Sequence, residues 1–127
     1  MSTSNSLEGL KIVLVEDNPD TRFIMVEMVR VLGYSVAEFE NAEDALEYLG
    51  TNQVDVLVSD LRLPGMSGEI FAVEARALQP SLGIVFATGS GAFRDRVDDG
   101  TNTVLMRKPF GLVDFERSLA SVAPARK

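Results

Sequence analysis

The chain has 127 residues, the size of one domain, and its 46% hydrophobic and 24% charged residues are enough to build a single core. The absence of cysteine excludes disulfide scaffolds, thiol catalysis and cysteine zinc sites, and the absence of histidine excludes an imidazole base, a histidine metal ligand or a phosphohistidine on these residues. A net charge of −7 repels phosphate backbones, and no Lys/Arg cluster offers a local exception, so nucleic acid is not an expected partner.

Residues 1–9 are polar and Ser-rich, a tail or linker stub with no signal-peptide pattern, and no apolar run approaches a membrane span. We therefore expect a soluble, cytoplasmic domain over residues 10–123, a second short tail over 124–127 and no direct membrane contact. Lys11 to Val15 reads as a short strand, almost continuously apolar as in a sheet covered on both faces. Glu16-Asp17-Asn18-Pro19 stops it. Asn18 suits an N-cap and Pro19 the first helical position, which predicts a helix over about 19–32, closed by Gly33. On that helix Ile24, Met25, Met28, Val29, Val31 and Leu32 share one arc, with Arg22, Glu27 and Arg30 opposite.

Tyr34 to Phe39 alternates as a half-covered edge strand does. Asn41 caps a second helix through Leu49, with Ala42, Ala45, Leu46 and Leu49 inward. Val54 to Ser59 is the most apolar strand and ends in Asp60, followed by a turn-rich loop over Leu61 to Gly68. A third helix is predicted from about Glu69 to Leu78, a fourth strand from Gly83 to Ala87 ending in Thr88, and a fifth from Thr103 to Arg107 leading into Lys108-Pro109-Phe110. The last helix, about Leu112 to Val122, carries Leu112, Phe115, Leu119 and Val122 at 3-4-3 spacing. Strand and helix thus alternate with short connections, which predicts an α/β fold: a doubly wound parallel sheet with helices on both faces. In such sheets the site lies at the carboxyl ends of the strands.

The strand ends carry Glu16 and Asp17, Asp60, Thr88 and Lys108. Taken singly, the acidic pair could be a solvated turn or helix cap, Asp60 a loop cap, Thr88 a turn residue and Lys108 a surface lysine. Together they place polar groups at one rim from four strands. Three carboxylates there repel one another unless a cation joins them, and oxygen-only ligands suit Mg²⁺. A lysine and a hydroxyl beside Asp60 then complete the parts needed for an aspartate that takes a phosphoryl group.

The segments Val15-Glu-Asp-Asn18, Asp60-Leu-Arg-Leu-Pro-Gly-Met-Ser-Gly68, Ala87-Thr-Gly89 and Lys108-Pro-Phe110, in this order, resemble a response-regulator receiver domain of two-component signalling over about residues 9–123. The resemblance implies a flavodoxin-like sheet of five strands in the order 2-1-3-4-5. It implies Asp60 as phospho-acceptor, with Glu16, Asp17, Asp60 and the backbone carbonyl of Arg62 holding Mg²⁺. Thr88 becomes the switch hydroxyl, Lys108 the ion-pairing lysine, and Lys108-Pro109 a cis peptide. The implied donor is a phosphohistidine on a histidine kinase or histidine phosphotransfer domain. The domain would phosphorylate itself from that donor and dephosphorylate slowly, as a signalling domain rather than an enzyme. Thr21 and Ile24 on the first helix are candidate partner contacts, the alternative being that the whole apolar arc is buried. Arg62 stands where it could hinder or steer an attacking water, and Gly89 leaves the pocket open.

Leu105 stands where the family often has an aromatic switch residue, so no rotating tyrosine reports phosphorylation here. The stretch from Ser90 to Asn102 offers only Phe93 and Val97 as apolar residues and predicts a fourth helix that is reduced or irregular. With Leu105 and Arg107-Lys-Pro-Phe110, this resembles receivers at the C-terminal end of hybrid histidine kinases, and no DNA-binding effector is expected after Lys127. A haloacid-dehalogenase-type phosphatase would need a second aspartate where Arg62 stands. A non-phosphorylated pseudo-receiver would usually lack the acceptor, acidic pair or lysine, all of which are present.

Overall fold

Strand β1 (Lys11–Val15) is followed by helix α1 (Pro19–Val31), β2 (Ser35–Phe39), α2 (Ala42–Leu49), β3 (Val56–Asp60), α3 (Gly68–Leu78), β4 (Gly83–Thr88), β5 (Thr103–Arg107) and α4 (Leu112–Val122). This is a computed structural model that describes residues 9–89 and 102–123. The five strands pair in parallel in the spatial order β2-β1-β3-β4-β5, as the alternation and the resemblance imply. The reduced helix expected between Ser90 and Asn102 falls on residues 90–101, outside the described residues, as do both tails apart from Gly9.

Local chemistry starts the helices where the sequence predicts. The Asn18 side chain accepts the Thr21 N–H at 2.9 Å and Pro19 takes the first helical position. The Asn41 side chain accepts the Asp44 N–H at 2.8 Å, and the Ser67 hydroxyl accepts the Ile70 N–H at 3.2 Å. After α1, Gly33 adopts φ +90°, as a closing glycine.

Alternate side chains of each central strand enter opposite layers. Ile12 and Leu14 join Met25, Val26 and Val29 of α1 and Phe115, Leu119 and Val122 of α4. Val13 and Val15 face the other way, toward Ala42, Ala45 and Leu49 of α2 and Phe71 and Ala75 of α3. The sheet is therefore covered on both faces, and β2, on an edge, stays half-buried. Among the described residues no helix is long and apolar enough to cross a membrane.

Four expectations need correction. On α1, Val26 is buried with Met25 and Val29, while Ile24 is 55% and Val31 70% exposed. The apolar arc is wider than the strip the sheet can cover, and docking selects its phase. Likewise Leu112 at the start of α4 stays exposed. Third, the loop after Asp60 contains a small antiparallel ribbon pairing Arg62 with Ser67 and Leu63 with Met66. Its anchor is Gly68, whose N–H donates to the Leu61 carbonyl at 2.9 Å. A Cβ there would lie 2.7 Å from the Leu61 oxygen and 2.9 Å from the Phe86 ring. Only glycine lets α3 begin this close to the ribbon and β4. Strand β3 also begins at Val56 rather than Val54, because the Val54 N–H is taken by the Gln79 side chain at 3.0 Å.

Candidate functional site

Parallel register carries every strand end to one rim. Val15 pairs with Ser59, Asp60 with Ala87 and Thr88 with Arg107, so Glu16, Asp60, Thr88 and Lys108 end up within a residue of the same level. The Lys108 N–H donates to the Thr88 carbonyl at 2.9 Å, extending the ladder to the lysine itself. Lys108-Pro109 is cis, as the resemblance implies.

At the centre, Lys108 Nζ lies 3.1 Å from Glu16 Oε1 and 3.1 Å from Asp60 Oδ2. Burial pushes the ammonium toward its neutral form. The hydrogen bonds and charges of Glu16 and Asp60 outweigh that, and the Lys108 pKa is raised above its usual 10.5. The second oxygen of each carboxylate is also held. Glu16 Oε2 accepts the Asn18 N–H at 3.1 Å, and Asp60 Oδ1 accepts the Arg62 N–H at 2.9 Å. Glu16 is buried, Asp60 half-buried and Asp17 exposed, and one oxygen from each lies within 4.8 Å of the others. Thr88 is buried at the end of β4, the strand beside that of Asp60. Beside the lysine, a Cβ on Gly89 would meet Lys108 Cβ at 3.7 Å, so this position leaves room.

The structure therefore brings Glu16, Asp17 and Asp60 into one cluster with Lys108 on it, and carries Thr88 and the Arg62 N–H to the same edge. One ammonium against three carboxylates leaves a negative excess, and the donors are all hard oxygens. That set fits Mg²⁺, which takes few carboxylates and keeps waters or phosphate oxygens in its remaining positions. The amphipathic pattern predicts Arg22 on the solvent side of α1. Instead it reaches back to the rim, donating from its guanidinium to the Glu16 carbonyl at 2.8 Å and to Glu38 Oε1 at 3.3 Å. Its place one turn into the helix that starts beside the acidic pair was the available signal.

Comparison with known proteins now adds the lineage. The family model for the response regulator receiver domain matches residues 12–118. The receiver protein CpdR of Brucella abortus is 33% identical over 107 residues, covering 83% of this chain and 89% of that protein. The sensor histidine kinase RcsC of Salmonella typhi is 27% identical over 95% of this chain, which spans only 13% of that longer protein. Among solved structures, the receiver domain of a Pseudomonas aeruginosa sensor histidine kinase, solved with a magnesium ion in its active-site cleft, superposes with a TM-score of 0.78 at 28% identity, covering 90% of this chain and 98% of that one. A receiver protein from Sinorhizobium medicae, at 23% identity and a TM-score of 0.81 over 92% of this chain and 96% of that one, shares the fold. A family match that runs from the first core strand into the last helix, over the same residues that build the acidic rim, makes this chain a member of the response regulator receiver domain family of two-component signalling.

Proposed function

We propose that this receiver takes a phosphoryl group onto Asp60 from a phosphohistidine of a histidine kinase or histidine phosphotransfer domain, and so switches or relays a two-component signal. The observation that carries this reading is the Lys108 ammonium 3.1 Å from both Glu16 and Asp60, inside a cluster of three carboxylates. Glu16, Asp17, Asp60 and the backbone carbonyl of Arg62 are the groups that would hold Mg²⁺. When bound, that ion would neutralise charge on the phosphoryl oxygens.

An Asp60 carboxylate oxygen attacks phosphorus in line. The O–P bond forms as the P–N bond to the donor imidazole breaks, and the electron pair leaves with the imidazole nitrogen. Lys108 offsets charge on the phosphoryl group, and the Thr88 hydroxyl donates to one of its oxygens. Water later attacks the phosphorus, the bond to Asp60 breaks, and inorganic phosphate leaves a restored carboxylate. With no histidine in these 127 residues, the donor lies in another domain or chain. The exposed Phe23 and Ile24, at 66% and 55%, offer that partner an apolar contact on α1 beside Asp17. We place the domain, residues 10–123, in the cytoplasm, where such donors meet it, and assign it the same chemistry whether it stands alone or is joined to a kinase.

The test is intact mass after incubation with Mg²⁺ and a small acyl phosphate, beside Asp60→Asn. One added phosphoryl group on the wild type alone is expected. Adducts on both proteins would move the acceptor elsewhere. Absence of an adduct, even with a partner kinase, would make the chain a pseudo-receiver that acts by binding.

A further inference from the structure

Glu16 is held at each of its polar groups. Its N–H donates to the Phe39 carbonyl at 3.0 Å, its carboxylate oxygens accept from Lys108 and the Asn18 N–H, and its carbonyl accepts from Arg22 at 2.8 Å. The first three bonds come from the sheet and from the loop around the site. The fourth is different, because it comes from a side chain on α1 that touches none of the three carboxylates of the cluster. The distance is that of a charge-assisted hydrogen bond. Nε of the same guanidinium lies 3.3 Å from Glu38 Oε1 on β2, and the Arg22 side chain is only 19% exposed. The fork therefore spans the ends of two strands, and a single ammonium point charge cannot reproduce both contacts.

The Glu16 carbonyl belongs to the peptide that leads directly into Asp17. Asp17 is exposed and makes no hydrogen bond or ion pair among the described residues, so no side-chain contact of its own orients it. What aims it is the plane of the preceding peptide. We infer that Arg22 is a positioning residue for the acidic pair: by gripping the Glu16 carbonyl it fixes the Glu16–Asp17 peptide, and so the direction in which Asp17 meets a divalent cation. This rests on the proposed Mg²⁺ site and adds a determinant of its affinity that lies outside the ligand set.

A positioning role for Arg22 shifts Mg²⁺ affinity in the direction opposite to simple electrostatics. Removing a positive charge near a cation site should, by Coulomb's law alone, tighten cation binding. Loss of a group that orients a metal ligand weakens it, typically by about 10-fold or more. The experiment is calorimetric titration of the whole chain with Mg²⁺, for wild type, Arg22→Met, Arg22→Lys and Glu38→Gln, with a thermal melt of each in the absence of the ion. We expect Arg22→Met to bind about 10-fold more weakly while still melting cooperatively. Arg22→Lys, which keeps a donor, should recover part of the loss, and Glu38→Gln, which keeps the bond to the carbonyl, should change affinity less than about twofold. In Arg22→Met, raising Mg²⁺ should restore phosphoryl uptake to the wild-type plateau, since the acceptor and lysine are untouched. Equal or tighter binding by a folded Arg22→Met would overturn the inference and leave the metal site standing. A wild type that does not bind Mg²⁺ would overturn both. If Arg22→Met does not fold, Arg22→Lys decides: affinity equal to wild type would overturn the inference.

Discussion

The two ends of the sheet are built on opposite principles. At the amino end, polar side chains are spent on backbone groups. Gln79 accepts from the Val54 N–H at 3.0 Å and donates to the carbonyls of Leu49 and Asn52 at 2.8 and 2.6 Å. Arg76 donates to the carbonyls of Leu82 and Asn102 at 3.0 and 2.6 Å. At the carboxyl end, three carboxylates crowd within 4.8 Å, and the one ammonium among them pairs with only two, Glu16 and Asp60. The first arrangement completes hydrogen bonds that folding would otherwise leave unmade. The second leaves negative charge in excess, which a fold selected only for stability would avoid. The difference separates polarity that completes the fold from polarity that the fold leaves uncompensated at the proposed site.

That contrast can be broken first at the rim. Asp60→Asn should abolish phosphoryl uptake in the mass assay while the protein stays folded; uptake that survives would remove Asp60 from the centre of the site. The base should respond in the opposite way. Gln79→Ala strands three backbone groups and should cost about 2 kcal/mol of stability in urea melts, with uptake per folded molecule unchanged. A loss of uptake there would mean that the two ends are coupled through the strands rather than independent.

Asp17→Asn sharpens the contrast further. It should weaken Mg²⁺ binding on the order of 10-fold in calorimetry. It should also raise the melting temperature without the ion slightly, because one member of a repelling set becomes neutral. An unchanged affinity would leave Asp17 as an ordinary exposed residue.

The smallest effect is alkaline, and each end contributes one group. At the amino end of β2, burial and then the Glu116 charge raise the Tyr34 pKa above its usual 10.0. At the rim, Lys108 is raised above 10.5, the bonds and charges of Glu16 and Asp60 overcoming its burial. In both cases the folded chain holds the proton more tightly than the unfolded chain. Their stabilisation is therefore complete below the unfolded pKa and is lost as pH rises through the folded one. Urea melts between about pH 9 and about pH 11 should show stability falling, and Tyr34→Phe should remove the base's share of the slope while leaving that of Lys108. A slope unchanged in Tyr34→Phe would contradict the assignment.

Much of this site was legible before folding was considered. Glu16, Asp17, Asp60, Thr88 and Lys108 each stand at the end of a short, mostly apolar stretch in a chain that alternates strand and helix, and parallel strands deliver their ends to one edge. Asn18 and Asn41 announce their helices by cap chemistry that acts within three residues. The less legible features depend on partners distant in sequence. The ribbon of 62–63 and 66–67 has strands too short for any periodicity to register. The α1 arc held more apolar residues than the sheet could cover, so the choice of Val26 over Ile24 and Val31 waited on docking. Arg22 looked like a solvent-facing charge, since nothing local shows that its guanidinium turns back to a carbonyl six residues earlier.

By itself, then, the sequence determined the alternation of strand and helix, the capped starts of the helices and the identity of the groups at the strand ends. Those depend on interactions spanning a few residues and on a hydrophobic period that survives in one dimension. Only the tertiary structure decided which apolar residues of α1 are buried, how close Lys108 comes to Glu16 and Asp60, and that Arg22 grips the peptide leading into Asp17. Those depend on register and helix docking, which bring residues up to 92 positions apart within hydrogen-bond distance.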